Sequence, residues 1–219
     1  MMQKILKAEW PAPNNVSAFT TLRNTDIATL NLPMQPKRIK QVHGTEVVLA
    51  EEITEQTEAD AVMTARPNLI CAVRTADCLP ILICNKQGTE VAAIHAGWRG
   101  LAKGVVAVTC EALTSSKQDC LAWIGPAIGP TGFEVGTDVL ENFASHGWSE
   151  QVIKHGFQPH PVHPGKWFGN LVYLASATLQ EQGFHADNIY SGGWCTYSDP
   201  ERFCSYRRSN DNDRMIQMW

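Results

Sequence analysis

An α+β sandwich is the fold class this sequence predicts, and three observations predict it. Short runs of β-forming residues recur through the first half of the chain, one of them passes through a glycine-rich turn into an amphipathic stretch, and two further helical stretches follow in the second half. Antiparallel hairpins beside helices suit this layout better than the regular alternation of a doubly wound sheet.

Residues 38–49 read as two short strands joined at His43-Gly44, because Ile39, Val42, Val47 and Val48 are β-formers and Gly44 tolerates the positive φ of a tight turn. A histidine at such a corner is exposed. Residues 69–73 continue the pattern, and after Thr75-Ala76-Asp77-Cys78 the apolar run 79–84 reads as a buried strand, with Pro80 tolerated near its start. Residues 85–88 make the turn into a strand at 91–94 that ends at His95. The spacing of Leu101, Val105, Val108 and Leu113 predicts one amphipathic helix over 101–113, entered through the small-residue turn at 97–100. Residues 121–124 are again strand-like, and Gly125-Pro126-Ala127-Ile128-Gly129-Pro130 is too rich in glycine and proline to be anything but a shaped loop. Helices at 139–144 and 171–182, the latter stopped by Gly183, and strands at 188–191 and 202–206 complete the layout.

A chain of 219 residues is long enough for one substantial core, so one domain over 1–219 is expected. With 44% hydrophobic and 18% charged residues it is neither disordered nor fibrous, and no apolar run approaches the roughly 20 residues that span a bilayer. Lys4, Lys7 and Glu9 interrupt the N-terminus, so no signal peptide is expected and the cytoplasm is the expected compartment. The net charge of −4, with no basic cluster denser than Arg207-Arg208, leaves no footprint for nucleic acid. Seven cysteines without regular spacing read as reduced core thiols rather than a disulfide framework.

Three ligand-capable residues fall at the ends of expected strands: His43 at the corner, Cys78 between two runs, His95 before the glycine turn. Loops anchored on strands hold side chains exposed yet fixed. One thiolate with two imidazoles suits zinc and leaves a fourth tetrahedral position open, as catalytic zinc sites do. The spacing matches no short zinc-finger pattern, so a metal-free reading stands beside it, with Cys78 as nucleophile, His95 as base and His43 assisting. A fourth protein ligand such as Cys71 or Cys84 would instead make the zinc structural.

The surroundings of these residues carry more. Gln41-Val42-His43-Gly44-Thr45, Ala59-Asp60-Ala61, Arg74-Thr75-Ala76-Asp77-Cys78-Leu79-Pro80, His95-Ala96-Gly97-Trp98-Arg99-Gly100, Gly125-Pro126-Ala127-Ile128-Gly129-Pro130, Phe133-Glu134-Val135 and the stretch from Asp199-Pro200 to Arg207-Arg208 follow one another in order. Together they resemble the laccase-domain family, whose members are called multicopper polyphenol oxidase, purine nucleoside phosphorylase or peptidoglycan editing factor. The resemblance implies a single-domain α/β/β/α-type sandwich with mixed sheets and a zinc ion held by His43, Cys78 and His95. It also implies phosphorolysis of adenosine, inosine and S-methyl-5′-thioadenosine with inorganic phosphate as co-substrate, and deamination of adenosine. Other lines within the family point to editing of peptidoglycan precursors and to copper-dependent phenol oxidation.

Four departures stand out. The stretch from Thr20-Thr21-Leu22-Arg23 to Gln41 is short for the family, which bears on substrate contacts from Arg23 and Asn31. The family's Lys-Trp-His-Leu-Asp-Leu appears as Lys166-Trp167-Phe168-Gly169-Asn170-Leu171, Thr131-Gly132 replaces a cysteine-containing pair, and Ser198 stands where a second cysteine would follow Cys195.

Bound zinc lowers the pKa of water toward about 7, which deamination needs, and Asp77 beside Cys78 is the candidate acid/base group, its other reading being a turn carboxylate. Phosphorolysis needs a grip on phosphate, and Arg99, at a glycine turn opening a helix, is the best-placed arginine. Trp98 offers a stacking face for a purine or a core-packing ring. Arg74, Arg207 and Arg208 are weaker anion candidates. His160 and His163 sit among Pro159, Pro161 and Pro164, which forbid a ligand-aligning helix, so no role is assigned to them. Copper oxidase chemistry is disfavoured because multicopper sites consume His-x-His pairs and this chain has none, although a His₂Cys site still takes up copper adventitiously. The expected partner is a small-molecule nucleoside, with neither nucleic acid nor membrane, and the sequence leaves the oligomeric state undetermined.

Overall fold

The most apolar stretch of the chain, Leu79–Asn85, is a strand buried along its whole length, and the molecule is layered around it. The computed structural model describes residues 4–210 and 213–218. Strands β1 to β8 are Ile5–Lys7, Phe19–Thr21, Val47–Leu49, Ala61–Thr64, Ala72–Thr75, Leu79–Asn85, Val91–Ala96 and Cys120–Ile124. Between β7 and β8 come helices α1 (Trp98–Lys103) and α2 (Val105–Ala112). Then follow β9 (Glu134–Gly136), α3 (Thr137–Ser145), α4 (Glu150–Gly156), β10 (Phe157–Pro159), β11 (Lys166–Gly169), α5 (Leu171–Glu181), β12 (Ile189–Ser191), α6 (Tyr206–Ser209) and β13 (Met215–Met218).

The central sheet is six-stranded, in the order β12-β8-β6-β7-β4-β3, with parallel pairs at both edges and antiparallel pairs between. Side chains alternate across it with the period of two that a strand imposes. Ala61, Met63, Ile81, Ile83, Ala92 and Ile94 face a core shared with Leu101, Val105, Leu174 and Leu179 of the helices. Val62, Leu82, Ala93 and Trp123 face the other way, onto Cys71 and Val73. Val73 belongs to an antiparallel four-stranded sheet, β1-β2-β13-β5, stacked on the central one. Its outer face, with Phe19, Ala72 and Met218, is covered by Ile27, Leu30, Leu32 and Met34, where the only helical element is a 3-10 turn at Ile27–Thr29. A small antiparallel sheet, β10-β11-β9, flanks the helical side. The arrangement is α+β with mixed sheets. No helix among the described residues is long and apolar enough to cross a membrane.

The helix α5 shows how the pattern works. Leu171, Leu174, Ala175, Thr178 and Leu179 are buried at one-face spacing, and the Asn170 side chain caps the helix by accepting the Tyr173 N–H at 3.0 Å. Asparagine is among the residues that cap best, and it serves as the cap of α5 here.

Three expectations are corrected. Residues 38–49 do not form a hairpin: Lys40 makes an isolated bridge to Glu58, and β3 pairs in parallel with β4. The corner is fixed from outside by the Asp60 carboxylate, and the left-handed residue is His43 (φ 56°), not Gly44. The helix expected over 101–113 is two helices, because Gly104 adopts φ 97° and donates its N–H to the carbonyls of Gly100 and Leu101. The apolar spacing survives the break, which is why periodicity alone joined them. Residues 202–206 are not a strand. Ser205 caps α6, and the Arg208 guanidinium binds the carbonyls of Thr196, Tyr197 and Phe203, shaping an irregular loop.

Candidate metal centre

Antiparallel pairing of β6 with β7 sets Leu79 opposite Ala96 and Pro80 opposite His95. Cys78, one residue before β6, therefore arrives at the same sheet end as His95. Pairing of β4 with β7 sets Ala61 opposite Ile94, which places Asp60 across from His95, and the His95 N–H donates to the Asp60 carbonyl at 2.7 Å. The Asp60 side chain is fully buried. It accepts the backbone N–H groups of Val42, His43 and Gly44 at 3.2, 3.1 and 2.6 Å, and it meets His95 Nδ1 at 2.7 Å. One carboxylate thus holds both the His43 corner and the His95 ring. Residues 35 and 17 positions apart in sequence converge, and ligand atoms of His43, Cys78 and His95 all lie within 4.8 Å of one another.

The donor set fits a metal ion. His43 Nδ1 is buried and has no hydrogen-bond partner among the described residues, a costly state for a polar atom unless something coordinates it. With Nδ1 of His95 on Asp60, Nε2 is that ring's remaining ligand atom, the carboxylate–histidine arrangement common at metal sites. Space is reserved as well: a Cβ on Gly97 would stand 2.4 Å from His43 Nδ1 and 3.1 Å from Cys78 Sγ. Burial, aided by His95, Arg99 and Lys103 and opposed by Asp60, pushes the His43 pKa down, which favours the neutral ring a ligand needs. For His95 burial also disfavours the charge, but the Asp60 hydrogen bond and Cys78 outweigh it and raise the pKa to about 9. As a metal ligand the His95 ring would have to give up that proton from Nε2. Neither Cys71 nor Cys84 joins the group. Both are buried and burial drives both thiols upward, Cys84 to about 12; among the described residues no fourth His, Cys, Asp or Glu joins the three.

The three residues open into a cleft of about 720 Å³. Trp98, Phe133 and Tyr206 supply its aromatic surface, and Lys40, Arg74, Arg99, Arg207 and Arg214 set five cations against one carboxylate, Asp77. Asp77 sits in the left-handed region (φ 88°), and both its oxygens are engaged, one by Thr196 Oγ1 at 2.6 Å and the other by the Arg207 N–H at 2.7 Å. The Arg99 guanidinium lies 4.3 Å from the Trp98 ring centre. Arg207 donates Nη1–H to the Glu134 carbonyl at 2.9 Å.

Other expected site residues fall elsewhere. Arg23 donates to the Pro200 carbonyl at 3.0 Å, Arg208 is used within its own loop, and Asn31 lines a separate groove with Asn15 and Asn68. His160 and His163 form no helix, yet their rings stack 4.4 Å apart beside Glu134. His160 Nδ1 accepts the N–H groups of Val162 and His163, so its proton sits on Nε2 and faces Glu134; that nitrogen has no lone pair for a metal while the loop persists. Asp60, Lys40, Phe133, Tyr206 and Arg214 carry no role that the sequence alone announces. Asp60 carries a signal, a lone charge in an otherwise small apolar run, whereas Lys40, Phe133 and Arg214 come from loops and Tyr206 from the start of the four-residue α6, none of which shows a periodicity.

The family described as multi-copper polyphenol oxidoreductase laccase matches residues 15–219. The chain is 42% identical to a protein of Haemophilus influenzae named purine nucleoside phosphorylase, over 94% of this chain and 82% of that one. It is 37% identical to the purine nucleoside phosphorylase YfiH of Escherichia coli, over 98% and 97% of the two chains. Among solved structures, protein NMB0706 of Neisseria meningitidis superposes with a TM-score of 0.86 at 34% identity, covering 99% of each chain. YlmD of Geobacillus stearothermophilus shares the fold, with a TM-score of 0.82 at 21% identity over 100% of this chain and 96% of that one.

Proposed function

The chain belongs to the multi-copper polyphenol oxidoreductase laccase family, and from that premise we propose that it is a zinc-dependent purine nucleoside phosphorylase. Its substrates are adenosine, inosine and S-methyl-5′-thioadenosine, with deamination of adenosine as a second activity. The reading is supported by the names of its relatives and carried by one observation: a His₂Cys group among the residues lining a cationic, aromatic-lined cleft.

Zinc held by His43, Cys78 and His95 supplies Lewis acidity there. The chain does the rest. Trp98 and Phe133 offer faces against which a purine stacks and sheds water. Arg99 and Arg207 grip inorganic phosphate and orient it toward the sugar. A phosphate oxygen bonds to C1′ as the bond from C1′ to the purine nitrogen breaks; the electron pair leaves with the base, which takes up a proton. In deamination water replaces the amino group and ammonia departs. Asp77, with both oxygens already accepting hydrogen bonds, acts in this scheme by positioning the Arg207 backbone rather than by transferring a proton.

The test is base release from the three nucleosides by zinc-loaded protein, with and without phosphate. Phosphate-dependent release is expected. Silence with all three nucleosides would move the assignment to a hydrolase of peptidoglycan precursors with Cys78 as nucleophile, for which inactivation of metal-free protein by iodoacetamide is the marker.

A further inference from the structure

A second cavity of about 180 Å³ adjoins the cleft, and the two share Gln41 and Arg74 as lining residues. The Gln41 amide pairs with both backbone groups of Arg74, Nε2 donating to its carbonyl and Oε1 accepting its N–H, each at 2.8 Å. This clamp works as a one-residue strand and ties the segment carrying Arg38, which lines the small cavity, to the edge of β5. On the other side of Arg74, β13 pairs Ile216 directly opposite, so Arg214, two residues earlier, lies on the same face as a diagonal neighbour. Three guanidinium-bearing residues are thereby gathered by backbone pairing rather than by attraction. Among the described residues neither Arg38 nor Arg74 is in an ion pair. Among the described residues the charged groups that act on Arg74 are the cations Arg38 and Arg214, which, after burial, hold its pKa down. Arg38 and Arg74, held at one place by the scaffold with no carboxylate paired to either among the described residues, favour an anion, and planar guanidinium forks match phosphoryl oxygens.

We propose that Arg38, Arg74 and Arg214 form a phosphoryl subsite at the junction of the two cavities, so that the cleft accepts a nucleoside bearing a phosphate group as well as the free nucleoside. The inference rests on the nucleoside reading of the cleft and adds a substrate class to it. A cleft of about 720 Å³ with a side cavity has room for the larger ligand.

Calorimetric titration of the full zinc-loaded chain with adenosine, adenosine 5′-monophosphate and inorganic phosphate tests it in three proteins: wild type, Arg38→Gln and Arg74→Gln. Wild type is expected to bind the monophosphate at least about tenfold more tightly than adenosine, and each substitution to remove about tenfold of that preference, the worth of a charged hydrogen bond. If inorganic phosphate also competes with the monophosphate in wild type but not in the variants, the subsite stands and takes the free anion too. Equal affinity for adenosine and its monophosphate in wild type, or an unchanged preference in both variants, overturns the subsite. Should neither adenosine compound bind, the nucleoside reading fails by itself, and the phosphate arm still decides: phosphate affinity lowered in both variants retains the subsite, and phosphate binding that is absent, or unchanged in the variants because Arg99 and Arg207 carry it, removes it.

Discussion

The carboxylate of Asp60 lies 2.7 Å from Nδ1 of His95 while its other contacts hold the backbone corner that presents His43. Two of the three proposed ligands are therefore oriented by one buried residue that touches neither cleft nor solvent. Asp60→Asn keeps the shape and removes the charge. Zinc affinity, measured by competition with a chromophoric chelator, is expected to fall by roughly 10- to 100-fold, the usual cost of losing such a support. An unchanged affinity would contradict the role given to Asp60.

Gly97 is a space constraint. The Cβ of Gly97→Ala would stand 2.4 Å from His43 Nδ1 and 3.1 Å from Cys78 Sγ, so the His43 ring must turn away. The variant is expected to fold, as judged by circular dichroism, yet to retain no stoichiometric zinc. Full metal occupancy in the variant would show that His43 is not held where the site requires it.

Asp77 is a positioning residue in this account, because its oxygens tie Thr196 and the Arg207 backbone together. Asp77→Asn turns one acceptor into a donor facing a donor. The KM for phosphate is expected to rise several-fold while kcat changes less. A collapse of kcat at unchanged KM, with a lost limb in the pH profile, would restore the acid/base role instead.

Glu90 tests the fold away from the site. It is buried and accepts the Thr114 N–H and Oγ1–H and the Ser115 N–H at 2.8, 3.0 and 3.0 Å, closing the turn after α2. Burial alone would raise its pKa, but these hydrogen bonds prevail and hold it below the ordinary 4.5. A carboxyl depressed in the folded state stabilises fully above the unfolded value and loses that contribution as the pH falls through the folded value. Glu90→Gln should cost about 1–3 kcal/mol in urea unfolding at pH 7, and the gap should shrink as the pH drops below about 4.5. A pH-independent gap would mean that the charge plays no part.

Much of this was legible in the chain. The buried strands around Cys78 and His95 announce themselves by apolar runs, and α5 by its one-face spacing. Cys78 and His95 could be named because they fall at strand ends, and His43 from the motif around it, although its corner is not the expected hairpin. What the sequence hid was long-range and polar. Nothing local shows that the 38–49 segment is pinned by Asp60 instead of folding on itself, or that Gly104 divides a stretch whose apolar spacing continues unbroken. The strands β1, β2 and β13 are too short to show a period and find their places only through one another. Five cations scattered over more than 170 positions, from Lys40 to Arg214, gave no basic patch in sequence, since only folding collects them on one cleft.

The most direct measurement is X-ray absorption at the zinc edge on protein purified without added metal, compared with Cys78→Ser. About one zinc per chain, with one sulfur near 2.3 Å and two imidazole nitrogens near 2.0 Å in the wild type and the sulfur shell gone in the variant, is the predicted result. Zinc absent from the wild type, or a sulfur shell that survives the substitution, would contradict a metal centre built from His43, Cys78 and His95.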